Sequence, residues 1–254
     1  KLDRIIIVNN SSTDGTDLWL SEQKDLFIIT QENLGGAGGF HTGLKVAYEQ
    51  GYDWIWFMDD DVLPADNCLE ILLNNFDENT IRIPLRYFDY GDVFYNDIIE
   101  YNFKNPFKTL WFKLINESDL KNECIKVSGP TFEGPLLHRK ILDKIGFPIT
   151  KFFIFADDTE FFVRAKRNGF EIYVYRDAKL YKKQMSQYNI SQFTWKHYYI
   201  IRNIIVLDVL YGNIWVRLLR PIGYLILWLS RCRNFDNIKT TIKAFIHGYF
   251  YKDK

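Results

Sequence analysis

Cysteine, histidine, methionine and proline are all scarce in this chain, at 3, 4, 2 and 7 residues. Cys68, Cys124 and Cys232 are widely spaced and odd in number. That excludes a disulfide framework and a zinc-type ligand spacing, and points to a reducing, cytosolic compartment. His41, His138, His197 and His247 form no spaced pair, so a histidine-built metal centre is not expected; His41, beside a glycine-rich turn, has the best position. Neither sign of charge is in excess, with 32 Lys and Arg against 32 Asp and Glu. A protein that grips nucleic acid through its phosphates carries a basic surplus, so nucleic acid is excluded as a partner. No apolar run approaches the ~20 residues of a spanning helix. The longest, Pro221 to Ser230, is too short, and no crossing is expected. The sequence opens on Lys-Leu-Asp-Arg and passes straight into a strand, so no leader is expected either. There is no internal repeat and no low-complexity tract.

Aromatic residues are plentiful: 7 Trp, 16 Tyr and 21 Phe make up 17% of the 254 residues. Such rings stack on sugars, sit at membrane interfaces and also fill cores. The apolar share of 47% and charged share of 25% are those of an ordinary globular protein. The length suits one large domain, or one domain with an appended segment.

Ile5-Ile6-Ile7-Val8 is a continuous β-branched run that ends in the polar turn from Asn9 to Thr16, as a buried strand of a parallel sheet does. Asp14 or Thr16 can cap a helix over Asp17–Gln23. Leu26 to Thr30 reads as a second strand, followed by the turn Gln31 to Gly39 and a helix from Phe40 to Gln50. Asp53 to Met58 is a third buried strand, and Pro64 opens a helix through Asn75. Residues 80–125 carry no clear period and read as sheet extension and loops. A short helix ends at Gly146, another runs from Asp157 to Asn168, and Glu171 to Tyr175 is a strand. Beyond Phe193 the chain turns helical, apolar and basic. The alternation predicts an α/β layered fold with a mainly parallel sheet. Ligands of such sheets bind beyond the carboxyl ends of the strands, so the polar turns there should converge on one crevice.

Three motifs can carry chemistry. Asp59-Asp60-Asp61 gathers mutually repelling carboxylates at the end of a strand, which suits a divalent cation with nucleotide phosphates. The plain alternative is a solvated acidic turn. Gly35-Gly36-Ala37-Gly38-Gly39 lies between strand and helix, where bare backbone and a helix N-terminus favour a phosphate. It lacks the Gly-Lys-Ser/Thr of a phosphate-binding P-loop, and a flexible turn fits it equally well. Asp157-Asp158-Thr159-Glu160 opens a helix. Acids there favour the helix dipole, or they supply a general base whose pKa its neighbours raise.

Together these residues resemble the inverting GT-A glycosyltransferases of family 2, over about Ile5 to Tyr181. The matching segments are Val8 to Thr16, Asn33 to Phe40, Asp59 to Asp61, and Asp157 to Glu160, in that order. Asn-Leu-Gly-Gly-Ala-Gly-Gly-Phe looks most like the galactofuranosyltransferase and rhamnosyltransferase branch. The resemblance implies a GT-A, Rossmann-like nucleotide-sugar-binding fold over residues 1–190, with a helical segment over 191–254. It implies that Asn9 contacts the nucleobase and that Asn33, Gly36, Gly38 and Gly39 line the nucleotide pocket. Asp59 and Asp61 would hold Mn²⁺ or Mg²⁺, with Asp60 beside the ribose or sugar. Asp158 would be the catalytic base, Asp157 would bind the acceptor, and Gly134 would form part of the acceptor wall. The donor would be a UDP- or dTDP-sugar carrying galactofuranose or rhamnose, the acceptor a polysaccharide or lipid-linked glycan.

Three departures accompany the resemblance. The family carries a strand with a Thr-Tyr-Asn-Arg-like motif ahead of the strand at Ile5, which has no counterpart in this sequence; the sheet is expected to lack its first strand. Lys182, in the stretch Ala178 to Lys183, stands where relatives place a metal-binding His. Its charge can reach the diphosphate, but it cannot ligate while protonated. Asn9 stands in place of an acid. The segment Trp195 to Tyr251 mixes basic, aromatic and aliphatic residues, which suits either a membrane-surface element or helices packed on the catalytic domain. A cytoplasmic protein, peripheral on the inner face of the cell membrane, is the corresponding location. The alternatives are a non-catalytic carbohydrate-binding or scaffold relative, an inactive fragment, and a nucleotide-binding oxidoreductase.

Overall fold

The computed structural model describes residues 2–74, 77–89, 91–182 and 193–252. The expected boundary at 190/191, the helix end at Asn75 and Lys183 lie outside the described residues. The first half runs β1 (Ile5–Asn9), α1 (Thr16–Ser21), β2 (Leu26–Thr30), α2 (Gly35–Glu49), β3 (Trp54–Trp56), β4 (Val62–Pro64) and α3 (Cys68–Leu73). There follow β5 (Thr80–Phe88), β6 (Ile98–Tyr101), β7 (Trp111–Leu114), β8 (Cys124–Lys126), β9 (Leu136–His138) and α4 (Arg139–Ile145). The chain continues through α5 (Asp157–Arg167), β10 (Glu171–Lys182), α6 (Lys196–Tyr211), α7 (Ile214–Ser230) and α8 (Phe235–Tyr249).

The central sheet has the order β3-β9-β5-β10-β4, with β8 also on β10. It is mixed rather than mainly parallel: β5–β10 is parallel, and the other pairs are antiparallel. Among the described residues β1 pairs only with β2, as a separate parallel ribbon. With one edge of that ribbon uncovered, the Ile5–Val8 run is only half-buried, not the fully buried strand that its composition predicts.

Three boundaries differ from the sequence reading for local reasons. The helix expected from Phe40 already starts at Gly35, where φ is +72° and the Asn33 Oδ1 accepts the Gly35 N–H at 3.0 Å. Pro64 opens no helix. It pairs with Leu180 in β4, an edge strand, where its missing N–H costs little. The strand expected to stop at Tyr175 continues to Lys182, because an irregularity between Tyr175 and Lys179 re-registers it onto Leu85–Phe88.

The main core lies between this sheet and the helices α2, α4 and α5. Ile81, Ile83, Leu85, Phe161, Phe162 and Ile172 are fully covered there. Helices α6, α7 and α8 pack together around Ile201, Ile205, Trp228 and Ala244. The buried pair Arg220–Asp208, at 2.6 Å, ties α7 to α6.

Candidate active site

The acidic triplet is clamped from both sides by strand pairing. Before it, Trp54–Trp56 pairs with Leu136–His138, and the ladder runs on as the Gly134 N–H donates to the Phe57 carbonyl at 3.1 Å. The Trp56 indole N–H also donates to the Gly134 carbonyl, at 2.9 Å. After it, Val62 pairs with Lys182 at the end of β10. Two consequences follow from register alone. Glu133 is drawn beside Asp59, and Lys182 is drawn to the strand that follows the triplet. Carboxylate oxygens of Asp59, Asp61 and Glu133 all lie within 4.8 Å of one another.

Beneath them lies a buried ionic network. Arg86, 1% exposed, bonds Asp97 at 2.9 Å, Thr131 at 2.8 Å, and Glu133. Lys182, 2% exposed, bonds the other oxygen of Glu133. Burial alone would raise the Glu133 carboxyl, but Arg86 and Lys182 outweigh it and hold the group below its ordinary value. Among the described residues no cation forms an ion pair with Asp59. Desolvation, then repulsion from Glu133 and Asp61, push it up to about 7, with Lys182 opposing. The Asp59 side chain retains solvent-accessible surface, but the crowd of protein atoms around it removes much of its hydration. Among the described residues, the ion pairs in this cluster are those of Arg86 with Asp97 and Glu133 and of Lys182 with Glu133, which leaves four carboxylates beside two cations. A divalent cation would complement that surplus, and the donors are all hard oxygens of the kind Mn²⁺ and Mg²⁺ prefer.

The second carboxylate pair sits on a strained loop. Phe153, Phe155 and Ala156 have φ of 64°, 65° and 61°, a region that non-glycine residues rarely enter. Ile154 N–H donates back to the Phe152 carbonyl at 2.7 Å, closing a tight γ-turn around Phe153. The loop delivers Asp157 and Asp158 to the first turn of α5. It is held from α6 by Asn203, fully buried, whose amide donates to the carbonyls of Phe152 (3.0 Å), Ile154 (2.9 Å) and Phe155 (2.6 Å). From the other side, the Ala37 N–H donates to the Phe153 carbonyl at 3.1 Å. Both carboxyls are raised, chiefly by burial; the charge of Asp158 adds to the rise at Asp157, while the hydrogen bonds from Thr159 oppose the rise at Asp158. Asp157 also feels the charge of Asp59, and Asp158 those of Arg86 and Glu133, so the two acidic groups share one electrostatic environment. Asp158 Oδ1 accepts the Thr159 N–H at 2.6 Å, which fixes its orientation.

The glycines do three different things. A Cβ on Gly35 would lie 2.1 Å from the Phe153 carbonyl oxygen, so this glycine exists for contact with the base loop. A Cβ on Gly39 would meet the Asn10 amide at 2.9 Å, while one on Gly38 would strike Leu34. Gly36 faces open space, and bare backbone is accessible only there. Asn33 caps the start of α2, and the buried Asn9 accepts the Ser12 N–H at 2.9 Å, shaping the turn after β1. Asn10 donates to the Gly35 carbonyl at 3.1 Å. The turn after β1, the N-terminus of α2 and the base loop are therefore joined by a chain of contacts. Gly134, with φ +85°, is buried against Pro84 and Leu180 and holds the ladder under Asp59. His41 bonds the Pro148 carbonyl at 2.8 Å and belongs to packing.

Sequence reasoning missed Glu133, Arg86 and Asn203. Arg82 and Arg86 sit on one face of an otherwise apolar strand, Thr80-Ile-Arg-Ile-Pro-Leu-Arg-Tyr-Phe88, and that period of two is a readable sign of buried partners. Asn203 in the apolar helix α6 is a similar sign.

Comparison with known proteins agrees with this fold. A family model, glycosyl transferase family 2, matches residues 1–146. Galactofuranosyltransferase GlfT1 of Mycolicibacterium smegmatis is 27% identical over 179 residues, 66% of this chain; the chain spans 57% of that relative's length. A crystal structure of GalNAc-T7 with UDP, GalNAc and Mn²⁺ superposes with a TM-score of 0.63 at 8% identity, covering 95% of this chain and 48% of that one. Staphylococcus aureus TarS 1–349 in complex with UDP gives 0.56 at 14% identity, covering 96% and 71%. At such identities the likeness is one of fold. With the α/β sheet, the clamped acidic triplet and a family match over more than half of its length, the chain belongs to glycosyl transferase family 2.

Proposed function

We propose that this protein transfers a hexose, galactofuranose or rhamnose, from a nucleoside diphosphate sugar to a polysaccharide or lipid-linked glycan, with inversion. The observation that carries the reading is the meeting of two acidic groups with different environments: Asp59, Asp61 and Glu133 in one, Asp157 and Asp158 in the other. Relatives named as galactofuranosyltransferases, and fold neighbours solved with UDP, support it.

In this reading Asp59 and Asp61, with Glu133 as third carboxylate, would hold Mn²⁺ or Mg²⁺; the bound cation supplies charge neutralisation for the diphosphate. Asp60 lies toward the ribose or sugar. Asn9, Asn33, Gly38 and Gly39 shape the nucleotide pocket, and Gly36 offers the backbone that the nucleotide approaches. Gly134 backs the acceptor side, and Asp157 binds an acceptor hydroxyl. Asp158 accepts the proton of that hydroxyl as its oxygen attacks the anomeric carbon. The bond from that carbon to the diphosphate oxygen breaks, and its electron pair leaves with the nucleoside diphosphate. Attack opposite the leaving group inverts the anomeric centre. Lys182 serves Glu133, since its charge is committed there. Residues 1–190 then form the catalytic unit, and 191–254 a helical addition whose first helix braces the base loop.

The test is nucleotide binding by titration calorimetry with UDP and dTDP, with Mn²⁺ or Mg²⁺ and with chelator. The reading expects binding that chelator weakens and that Asp61→Asn weakens similarly. Equal binding in all arms would contradict it.

A further inference from the structure

One exposed stripe of α7 carries no charge. Trp215, Leu218, Leu219, Ile222 and Ile226 are 61%, 42%, 41%, 47% and 64% exposed, while Val216, Arg220 and Trp228 of the same helix face inward. Helix α8 repeats the pattern. Phe235, Ile238, Ile242 and Ile246, three or four residues apart, are all exposed, opposite the buried Thr241, Ala244 and Gly248. A helix on a water-facing surface normally turns polar residues outward, and exposed apolar area of this extent marks a binding surface. The charge around it has one sign. Between Ile214 and Lys252 stand Arg217, Arg231, Arg233, Lys239, Lys243 and Lys252, with Asp236 as the one acid; Arg220 is neutralised by Asp208. The whole chain sums to zero, so the basic surplus is local.

A cavity of about 430 Å³ adjoins the α8 stripe. It shares Ile246 and His247 with the apolar groove along α8, and Lys151, Arg202 and Lys252 line it with no carboxylate among them. Among the described residues no helix is long and apolar enough to cross a membrane. A second copy of the chain would set one basic surface against another. We infer that α7 and α8 lie flat on an anionic lipid bilayer, apolar faces in the acyl–headgroup boundary and basic side chains on the phosphates, with one lipid phosphate in the Lys151–Arg202–Lys252 cavity. This rests on exposure and charge, and stands independently of the catalytic reading.

The test is co-sedimentation of the full chain with vesicles of phosphatidylcholine alone or mixed with phosphatidylglycerol, at low and high salt. Binding is expected on the mixed vesicles, weakened by salt. The double variant Trp215→Glu/Ile222→Glu should bind roughly 10²-fold more weakly, each residue contributing a buried apolar side chain. Lys239→Glu/Lys243→Glu should lose about tenfold or more at low salt and little at high salt. Circular dichroism melting verifies that both variants fold. Three results overturn the proposal: no sedimentation with either vesicle, equal sedimentation with both at all salts, or a lipid-free dimer that Trp215→Glu/Ile222→Glu abolishes.

Discussion

Replacing Asn203 by alanine should disable a site that Asn203 does not touch. Its amide reaches three carbonyls of the loop Phe152–Phe155 at 3.0, 2.9 and 2.6 Å. Two amide hydrogens shared among three acceptors are equivalent to about two hydrogen bonds, or ~2 kcal/mol net. The Phe152 carbonyl keeps the Ile154 N–H and the Arg202 guanidinium as donors, Ile154 is half-buried and Phe155 exposed, so a loss of about 2 kcal/mol is expected. At about 2–4 °C per kcal/mol for a chain of this size, the melting temperature falls by roughly 4–8 °C. The same loop holds Phe153, Phe155 and Ala156 at positive φ, each conformation costing of order 1–3 kcal/mol. Without Asn203 the loop relaxes toward ordinary φ, and Asp157 and Asp158 leave their positions. The rate of sugar transfer should then fall about 10–100-fold while nucleotide affinity changes little, since the acidic triplet lies on other strands. Calorimetric melting and steady-state kinetics with nucleotide titration read the three quantities. Asn203→Asp keeps the volume but loses the donor, so it should be at least as damaging. A mild Asn203→Asp beside a damaged Asn203→Ala would mean that packing, not donation to the loop, is what matters.

Glu133→Gln leaves Arg86 and Lys182 buried with too little negative charge, and should cost about 3–5 kcal/mol in urea unfolding. Gly35→Ala should lose more than ~1 kcal/mol, because its Cβ would lie 2.1 Å from the Phe153 oxygen at φ +72°. Gly36→Ala, which meets nothing, should be neutral or gain ~0.5–1 kcal/mol in melting experiments, yet weaken nucleotide binding. Asp158 is raised from 3.8 by burial, so the ionised base is lost as pH falls through a value above the ordinary carboxylate range, and the acidic limb of the transfer rate should lie there. The sign for stability is opposite. The folded state holds protons that the unfolded chain releases, so the Asp157–Asp158 pair makes the protein less stable as pH rises through its folded titration range, measurable by melting across pH.

Elements with one dominant local signal were legible in the sequence. The runs at Ile5 and Leu26, the helix after Asp157 and the acidic triplet appear where composition puts them. Pairing was not legible, because it depends on distant partners. Nothing in Leu136–His138 announces that it inserts antiparallel between β3 and β5, and that insertion, with β4 and β8 antiparallel on β10, makes the sheet mixed. It also carries Glu133 to Asp59. The glycines misled for a related reason: Gly35 answers to the distant Phe153, and Gly38 to Leu34 one turn back in a helix that looks from sequence like a loop. Lys182 reads as a missing metal ligand until Glu133, from the turn before β9, is seen to pair with it.

The most direct measurement compares single-turnover transfer by the wild type and Asp158→Asn, with nucleotide affinity determined alongside. The account predicts a loss of roughly 10²–10⁴-fold in transfer, as expected for a general base, with nucleotide binding nearly unchanged. Equal transfer by both proteins would contradict it.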